Sequence, residues 1–243
     1  MATKLQLNAL TLLREEVDRS HREVGVPFAP AFVRGADPDV PPATSRLLGA
    51  GRGGEIRLKL FLTFALRAVA GRPTLAARQP RTLARMLALS EKTGPRRAAD
   101  AMRWLEDNRF IKRAPQTGTP GELLLLDGAA EPADLARRDR HGRYLSLPIE
   151  LWTGGLILEM PARELAVYMA LLDVTYDDRQ GAMSGHQKRQ YGISDDTWTR
   201  AVKGLRRNGL IAVRTEVEDD GERIPRARRI YTRTHPSTWR KLS

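Results

Sequence analysis

At 243 residues and 41% apolar, the chain has room for two small domains with a core each, and wholesale disorder is excluded. Its 41 lysines and arginines against 29 acids leave a net charge of +12. With no cysteine in the sequence, disulfides, thiolate catalysis and cysteine-held zinc are excluded as well. Arginine, which forks onto phosphate and guanine, supplies most of the excess, although RNA, an acidic membrane or a plain basic surface would suit the same charge. No run is apolar for long enough to span a bilayer, and Met1 to Gly25 lacks the basic start and apolar block of a secretory leader. The expected place is the cytoplasm or the nucleoid of a bacterium, with no membrane partner.

Residues 4 to 24 read as a helix with Leu5, Leu10, Leu13 and Val17 on one side and Glu15, Glu16, Asp18 and Arg19 exposed on the other. It can pack within the chain or pair with a second copy to make a homodimer. The stripe is short for an independent coiled coil, which favours the first. Proline and glycine fill Gly25 to Gly54, which predicts irregular, extended chain whose Phe28, Phe32 and Val33 staple onto the following helix. That helix, Glu55 to Ala70, has Ile56, Leu60, Phe61, Phe64, Ala65 and Ala68 at core spacing and stops at Gly71-Arg72-Pro73.

Next, Leu83, Ala84, Leu87, Leu89 and Ser90 follow a Leu-Ala-x-x-Leu-x-aliphatic-Ser pattern, with Ala88 where glycine is usual. Gly94-Pro95 opens a second helix running to Asn108, then a strand at Phe110 to Arg113, a loop from Pro115 to Gly121 and a strand at Leu123 to Leu126. Asp127 to Arg143 is charged and without period, as a linker would be. Beyond it come a short strand at Tyr144 to Pro148 and a helix at Ala162 to Val174 with Leu165, Val167, Tyr168, Leu171 and Leu172 inward.

The last hundred residues repeat the first arrangement. Ser194 is placed to cap a helix whose first turn holds Asp195 and Asp196, and Trp198, Ala201, Val202 and Leu205 form its apolar stripe. Ala98, Ala101, Met102 and Leu105 lie in those slots one hundred positions earlier, and Asn108 and Ile111 return as Asn208 and Ile211. Gly209 ends the helix, Leu210 to Thr215 reads as a strand, Glu216 to Ala227 as a hairpin tip and Arg228 to Arg233 as the returning strand. The first copy has four more residues between its turn serine and its helix, so its helix pair is looser. In the second, Gln187 and Lys188 replace the expected leucine and alanine, so that helix is shifted, or short and exposed.

Helix, turn, helix and a two-stranded wing, twice over, resemble the winged helix-turn-helix superfamily. The resemblance implies an α+β chain, mainly helical with small β wings: an N-terminal helix and arm over 1–54, a first winged helix over 55–126, a linker over 127–143 and a second winged helix over 144–243. It also implies binding of double-stranded DNA through the second helix of each pair, in the manner of a bacterial transcriptional regulator. The layout is similar as well to plasmid replication initiators with two winged helices. A winged-helix scaffold that binds protein and not DNA is the third reading.

On that resemblance, Arg200 and Lys203 would face base edges, Thr197 and Thr199 bases or phosphate, and Arg207 the same outward face. His186, Gln187, Lys188 and Arg189 would touch phosphate. In the wing, Arg226, Arg228 and Arg229 would meet the minor groove while Glu216, Glu218, Asp219, Asp220 and Glu222 turn away or face a protein. Arg96, Arg97 and Arg103 would serve in the first unit, diluted by Asp100 and Asp107, so the second unit is expected to read DNA better. His21, His141, His186 and His235 are scattered, Gly51-Arg52-Gly53-Gly54 lacks the lysine of a nucleotide loop, and Tyr191 reads as the core residue of a turn. No enzymatic activity, cofactor or metal is expected.

Overall fold

Thr3 starts the first helix, α1 (Lys4–Ser20), by a capping box in which its hydroxyl accepts from Gln6 N–H while Gln6 accepts from its own N–H. His21, left-handed at φ 52°, ends it, so the helix stops at Ser20, four residues short of the expected Val24. In this computed structural model the residues described are 2–37, 39–49, 53–68, 74–116, 119–127, 139, 141–176, 179–218 and 226–242, less the side chains of 115, 116, 119, 120, 218 and 226. The chain is α+β, mostly helical with three small antiparallel sheets.

The arm is more ordered than its composition predicts. It forms β1 (Gly25–Phe28), α2 (Pro30–Val33) and α3 (Ala43–Leu48). Strand β1 pairs with β5 (Leu145–Pro148) in the register Gly25↔Pro148 to Phe28↔Leu145, which supplies hydrogen bonds that local proline and glycine cannot. The expected staple is present: Phe28 meets Phe32, Phe32 stacks on Phe61 at 5.2 Å, and Phe61 meets Phe110 edge-on. Phe61 lies on α4 (Gly54–Arg67), a helix buried nearly all round; of the Gly51-Arg52-Gly53-Gly54 run, 51 and 52 lie outside the described residues and Gly54 opens the helix.

The first unit continues through β2 (Thr74–Ala76), α5 (Pro80–Met86), α6 (Gly94–Asp107), β3 (Ile111–Gln116) and β4 (Thr119–Leu125), with sheet order β2-β4-β3. After β5 come α7 (Glu150–Thr153), α8 (Leu156–Glu159) and the buried α9 (Ala162–Val174). The series then repeats as β6 (Gln180–Ala182), α10 (Gly185–Gln190), α11 (Asp195–Arg207), β7 (Ile211–Glu218) and β8 (Arg226–Arg233), sheet order β6-β8-β7. The repeat extends to backbone conformation. Ala88 (φ 52°) and Gly192 (φ 63°) turn left-handed after the first helix of each pair, and Arg109 (φ 62°) and Gly209 (φ 76°) after the second.

Ala88 and Arg109 therefore sit where only glycine is unstrained. Ala88→Gly is expected to stabilise the protein by about 0.5–1 kcal/mol, the relief of left-handed strain less the extra entropy glycine loses on folding. Urea unfolding checks this; a loss of stability would mean that the methyl group packs well enough to outweigh its backbone.

One hydrophobic cluster runs from Leu13 through Phe61, Leu105 and Leu123 to Trp152, Tyr168, Trp198 and Tyr231, so the two units share a core. Across it Trp152 Nε1 donates to Thr63 Oγ1 (3.4 Å) and Lys59 Nζ to the Leu158 carbonyl (3.1 Å). Helix α1 packs on α4, α5 and α7 of its own chain through Ala9, Leu10, Leu13 and Val17, while Leu5 stays outside the stripe, 38% exposed. Glu16, expected on the solvent side, is 3% exposed and holds Arg19, Arg67 and Arg78. The expected linker, 127–143, lies largely outside the described residues; at its end Asp139 accepts from the His141 and Arg143 N–H groups and pairs with the Arg143 guanidinium, which holds its carboxyl down to about 2.

Candidate nucleic-acid interface

Helix α11 is positioned by its buried face. Trp198, Ala201 and Leu205 are fully buried, and Trp198 Nε1 donates to the Tyr231 hydroxyl on β8 at 3.1 Å. Gly204 faces α9, where Glu164 lies directly beneath it: any Cβ there would collide with the Glu164 carboxylate. Glycine at this position leaves room for the Glu164 carboxylate against α11. Burial pushes Glu164 above the usual carboxylate range, opposed by the charges of Arg207, Arg163 and Lys59.

The outward side carries Asp196, Thr199, Arg200, Lys203, Arg206 and Arg207, all exposed. Ser194 caps the helix as its sequence predicts, accepting from Thr197 N–H at 3.3 Å, and its hydroxyl also donates to Thr197 Oγ1. Thr197 is therefore partly engaged. Arg200 reaches back one turn to Asp196 at 2.9 Å, with both side chains about two-thirds exposed, so this surface pair exchanges easily for a better anion. Arg207 lies near enough for its charge to act on Glu164, and it is exposed on the outward side together with Lys203 and Arg206. Arg206 escaped sequence reasoning because the outward face was drawn too narrowly.

Helix α10 is short and has no buried residue, the second of the two forms its Gln187 and Lys188 allow. Two of its four expected phosphate contacts are otherwise engaged. Gln187 Oε1 completes a capping box with Ser184, accepting its N–H at 2.8 Å, and Lys188 Nζ binds Asp195 at 2.6 Å and sits 5.9 Å above the Trp198 ring. Lys188 thus joins α10 to α11 and is not a free cation; its hydrogen bond also holds the Asp195 carboxyl below its usual range. His186 and Arg189 are exposed and lie 3.2 Å apart.

Behind the turn, Tyr191 is buried as expected, and its hydroxyl donates to Asp173 at 2.7 Å; Arg34 reaches the same carboxylate at 3.3 Å. Burial first, and Asp173 second, push the phenol well above its ordinary value, so it remains a donor.

The β7–β8 hairpin extends further than expected: pairing runs on through Glu216↔Arg228 and Val217↔Ala227 to Glu218↔Arg226, and residues 219–225 lie outside the described residues. The acidic start and basic return are thus cross-strand neighbours along the ladder, so Glu216 shares a face with Arg228 and does not turn away from the arginines as expected. Glu216 also binds Arg214 at 2.7 Å. Arg228 and Arg229 are exposed on opposite faces of the ribbon; the side chain of Arg226 is outside the described residues, as are Asp219, Asp220 and Glu222.

In the first unit, Arg96, Arg97 and Arg103 are exposed on α6, and Arg96 and Arg103 flank Asp100 at 4.0 and 3.6 Å. Unlike α11, its first turn carries no acid, and Lys92 stands exposed just before it. Arg113 on β3 is tied to Glu106, whose carboxyl that hydrogen bond holds low.

Among the described residues no three histidine or carboxylate groups are close enough to hold a metal ion, and no helix is long and apolar enough to cross a membrane. Comparison of the chain with protein-family profiles, with curated proteins and with solved structures gave no match.

Proposed function

We propose that the protein binds double-stranded DNA in a sequence-specific manner through two tandem winged helix-turn-helix units, and acts as a bacterial transcriptional regulator. The observation that carries this reading is one order met twice: helix, strand, helix, helix and a hairpin, with the first strand paired to the third (β2-β4-β3 and β6-β8-β7). Left-handed residues at matched turns support it, as does a last helix that buries one face and offers cations on the other. In such an arrangement the helix before the hairpin enters the major groove and its middle side chains reach base edges, while cations around it fix the backbone. Arg200, Lys203 and Arg206 are the α11 side chains suited to that; Arg96, Arg97 and Arg103 are their counterparts on α6. Arg228 and Arg229 are suited to phosphate.

Arg200→Ala is expected to cost about 1–3 kcal/mol on a selected target and to relax preference at one base position. Arg228→Ala with Arg229→Ala should weaken all duplexes alike and flatten the salt dependence. Titration of target and scrambled duplexes checks both. Wild-type affinity and specificity in Arg200→Ala would remove it from the reading face, and a loss confined to the target in the double variant would make the wing a reader of bases. A genomic footprint at promoters supports regulation, and one at repeated sites beside an origin would replace it with replication initiation.

A further inference from the structure

Residues 34–37 and 39–46, between α2 and α4, reach the end of one helix proposed to read DNA and the turn that leads into the other. Arg34 pairs with Asp173 beneath the α10–α11 turn, Gly35 N–H donates to the Gln190 carbonyl at 2.8 Å, and Ser45 Oγ donates to the Gly192 carbonyl at 3.1 Å. At the other end Arg46 donates to the Asn108 carbonyl at 3.2 Å, where α6 ends, and lies over the Phe110 ring at 5.1 Å. Ser45 and Arg46 are consecutive residues of one helix turn, so the end of α6 and the entry to α11 are gripped by neighbouring side chains. The hydrophobic core is continuous beneath them, through Phe32, Leu47 and Phe61. A repeat joined only by a flexible linker would show none of these contacts.

The geometry points to Arg34, Gly35 and the α3 turn as a spacer bar, with Ser45 and Arg46 as positioning residues that set the distance and rotation between α6 and α11. The DNA recognised is then a bipartite duplex site, two short motifs at one fixed spacing, read by a single chain. This rests on the DNA-binding reading above. It adds that the spacing is itself a recognised feature, because a rigid pair of heads gains from the second contact only when both fit at once. One base pair inserted between the motifs moves the second by about 3.4 Å and about 36° around the helix, more than a packed core tolerates.

The experiment selects binders for the full chain from a random-sequence duplex library, then titrates the recovered sequence with 1, 5 and 10 base pairs inserted between its motifs. The expected result is two motifs at a constant spacer and a loss of roughly 100-fold for each insertion. The 10-base-pair insertion fails too, because rotation is restored but distance is not. Ser45→Ala with Arg46→Ala is expected to recover several spacers and to soften the loss to less than about tenfold, whereas Arg46→Lys, which keeps a cation over Phe110 and a donor for Asn108, retains the single spacer. A merely structural role would lower the melting temperature without changing the spacer. Should the double variant not fold, the insertion series on the wild type and Arg46→Lys carries the test. A single motif, or two motifs at scattered spacings in the wild type, overturns the spacer bar and leaves DNA binding standing. Absence of any enrichment overturns the DNA-binding reading itself.

Discussion

Glu16→Ala is expected to cost about 3–5 kcal/mol of folding stability, the loss seen when one partner of a buried ion cluster is removed. The Glu16 side chain is 4% exposed and receives Arg19 at 2.7 Å, Arg67 at 2.8 Å and Arg78 at 2.9 Å. Arg67, at 18%, is the most sheltered of the three; burial lowers its proton affinity, Glu16 raises it, and Arg78 and Arg19 lower it further. Without the carboxylate three guanidinium groups face one another, and Arg67, the most sheltered, loses its anion. The Arg19 contact contributes little, since its side chain is half exposed. Against a total stability of about 5–15 kcal/mol for a typical domain, this single change removes a large share. Chemical denaturation measures it: a cost under about 1 kcal/mol would mean that the arginines disperse into solvent, and that α1 is held by Leu10, Leu13 and Val17 alone.

The second large effect is expected at Asp173. Its side chain is 1% exposed and accepts from the Tyr191 hydroxyl while pairing with Arg34, so Asp173→Ala strands a buried phenol and removes the anion on which the arm is anchored. About 3 kcal/mol is expected, and about 1–2 kcal/mol for Tyr191→Phe, which leaves the Asp173–Arg34 pair in place. The two losses should not add, since both act on one hydrogen bond; a double-mutant cycle reads the coupling. Additive losses would show that Tyr191 and Asp173 stabilise the turn independently. Because Tyr191 sits just before Gly192, the turn that aims α11 is built on this buried contact, and DNA affinity should fall together with stability.

What could be read in the sequence was whatever repeats or follows a local rule. Trp198, Ala201, Val202 and Leu205 are buried because helical spacing places them on one face, and Ser194 caps because a hydroxyl before an acidic turn does so anywhere. Strand β7 begins at Ile211, one hundred positions after Ile111 begins β3, as the repeat requires. The contacts that escaped are long-range or between charges. Glu16 and Lys188 look like solvated residues on helix faces, and only distant arginines and the next helix make them internal. The β1–β5 ladder joins residues some 120 apart, one end in a proline-rich arm, and no local pattern announces it. In the last hairpin, Glu216 to Glu218 and Arg226 to Ala227 read as part of a tip, whereas they are paired strands in register. The candidate interface was legible as a cationic helix face, but not which of its cations were already engaged: Arg200 by Asp196 and Lys188 by Asp195.

If two repeated units present cations to a polyanionic duplex, their binding must depend steeply on salt. Fluorescence anisotropy of a labelled duplex, titrated with the full chain across a series of potassium chloride concentrations, gives the slope of log K against log salt. A steep negative slope is expected, of magnitude about 4 or more, as several phosphates release their counterions. A slope near zero, or no association at low salt, would contradict it.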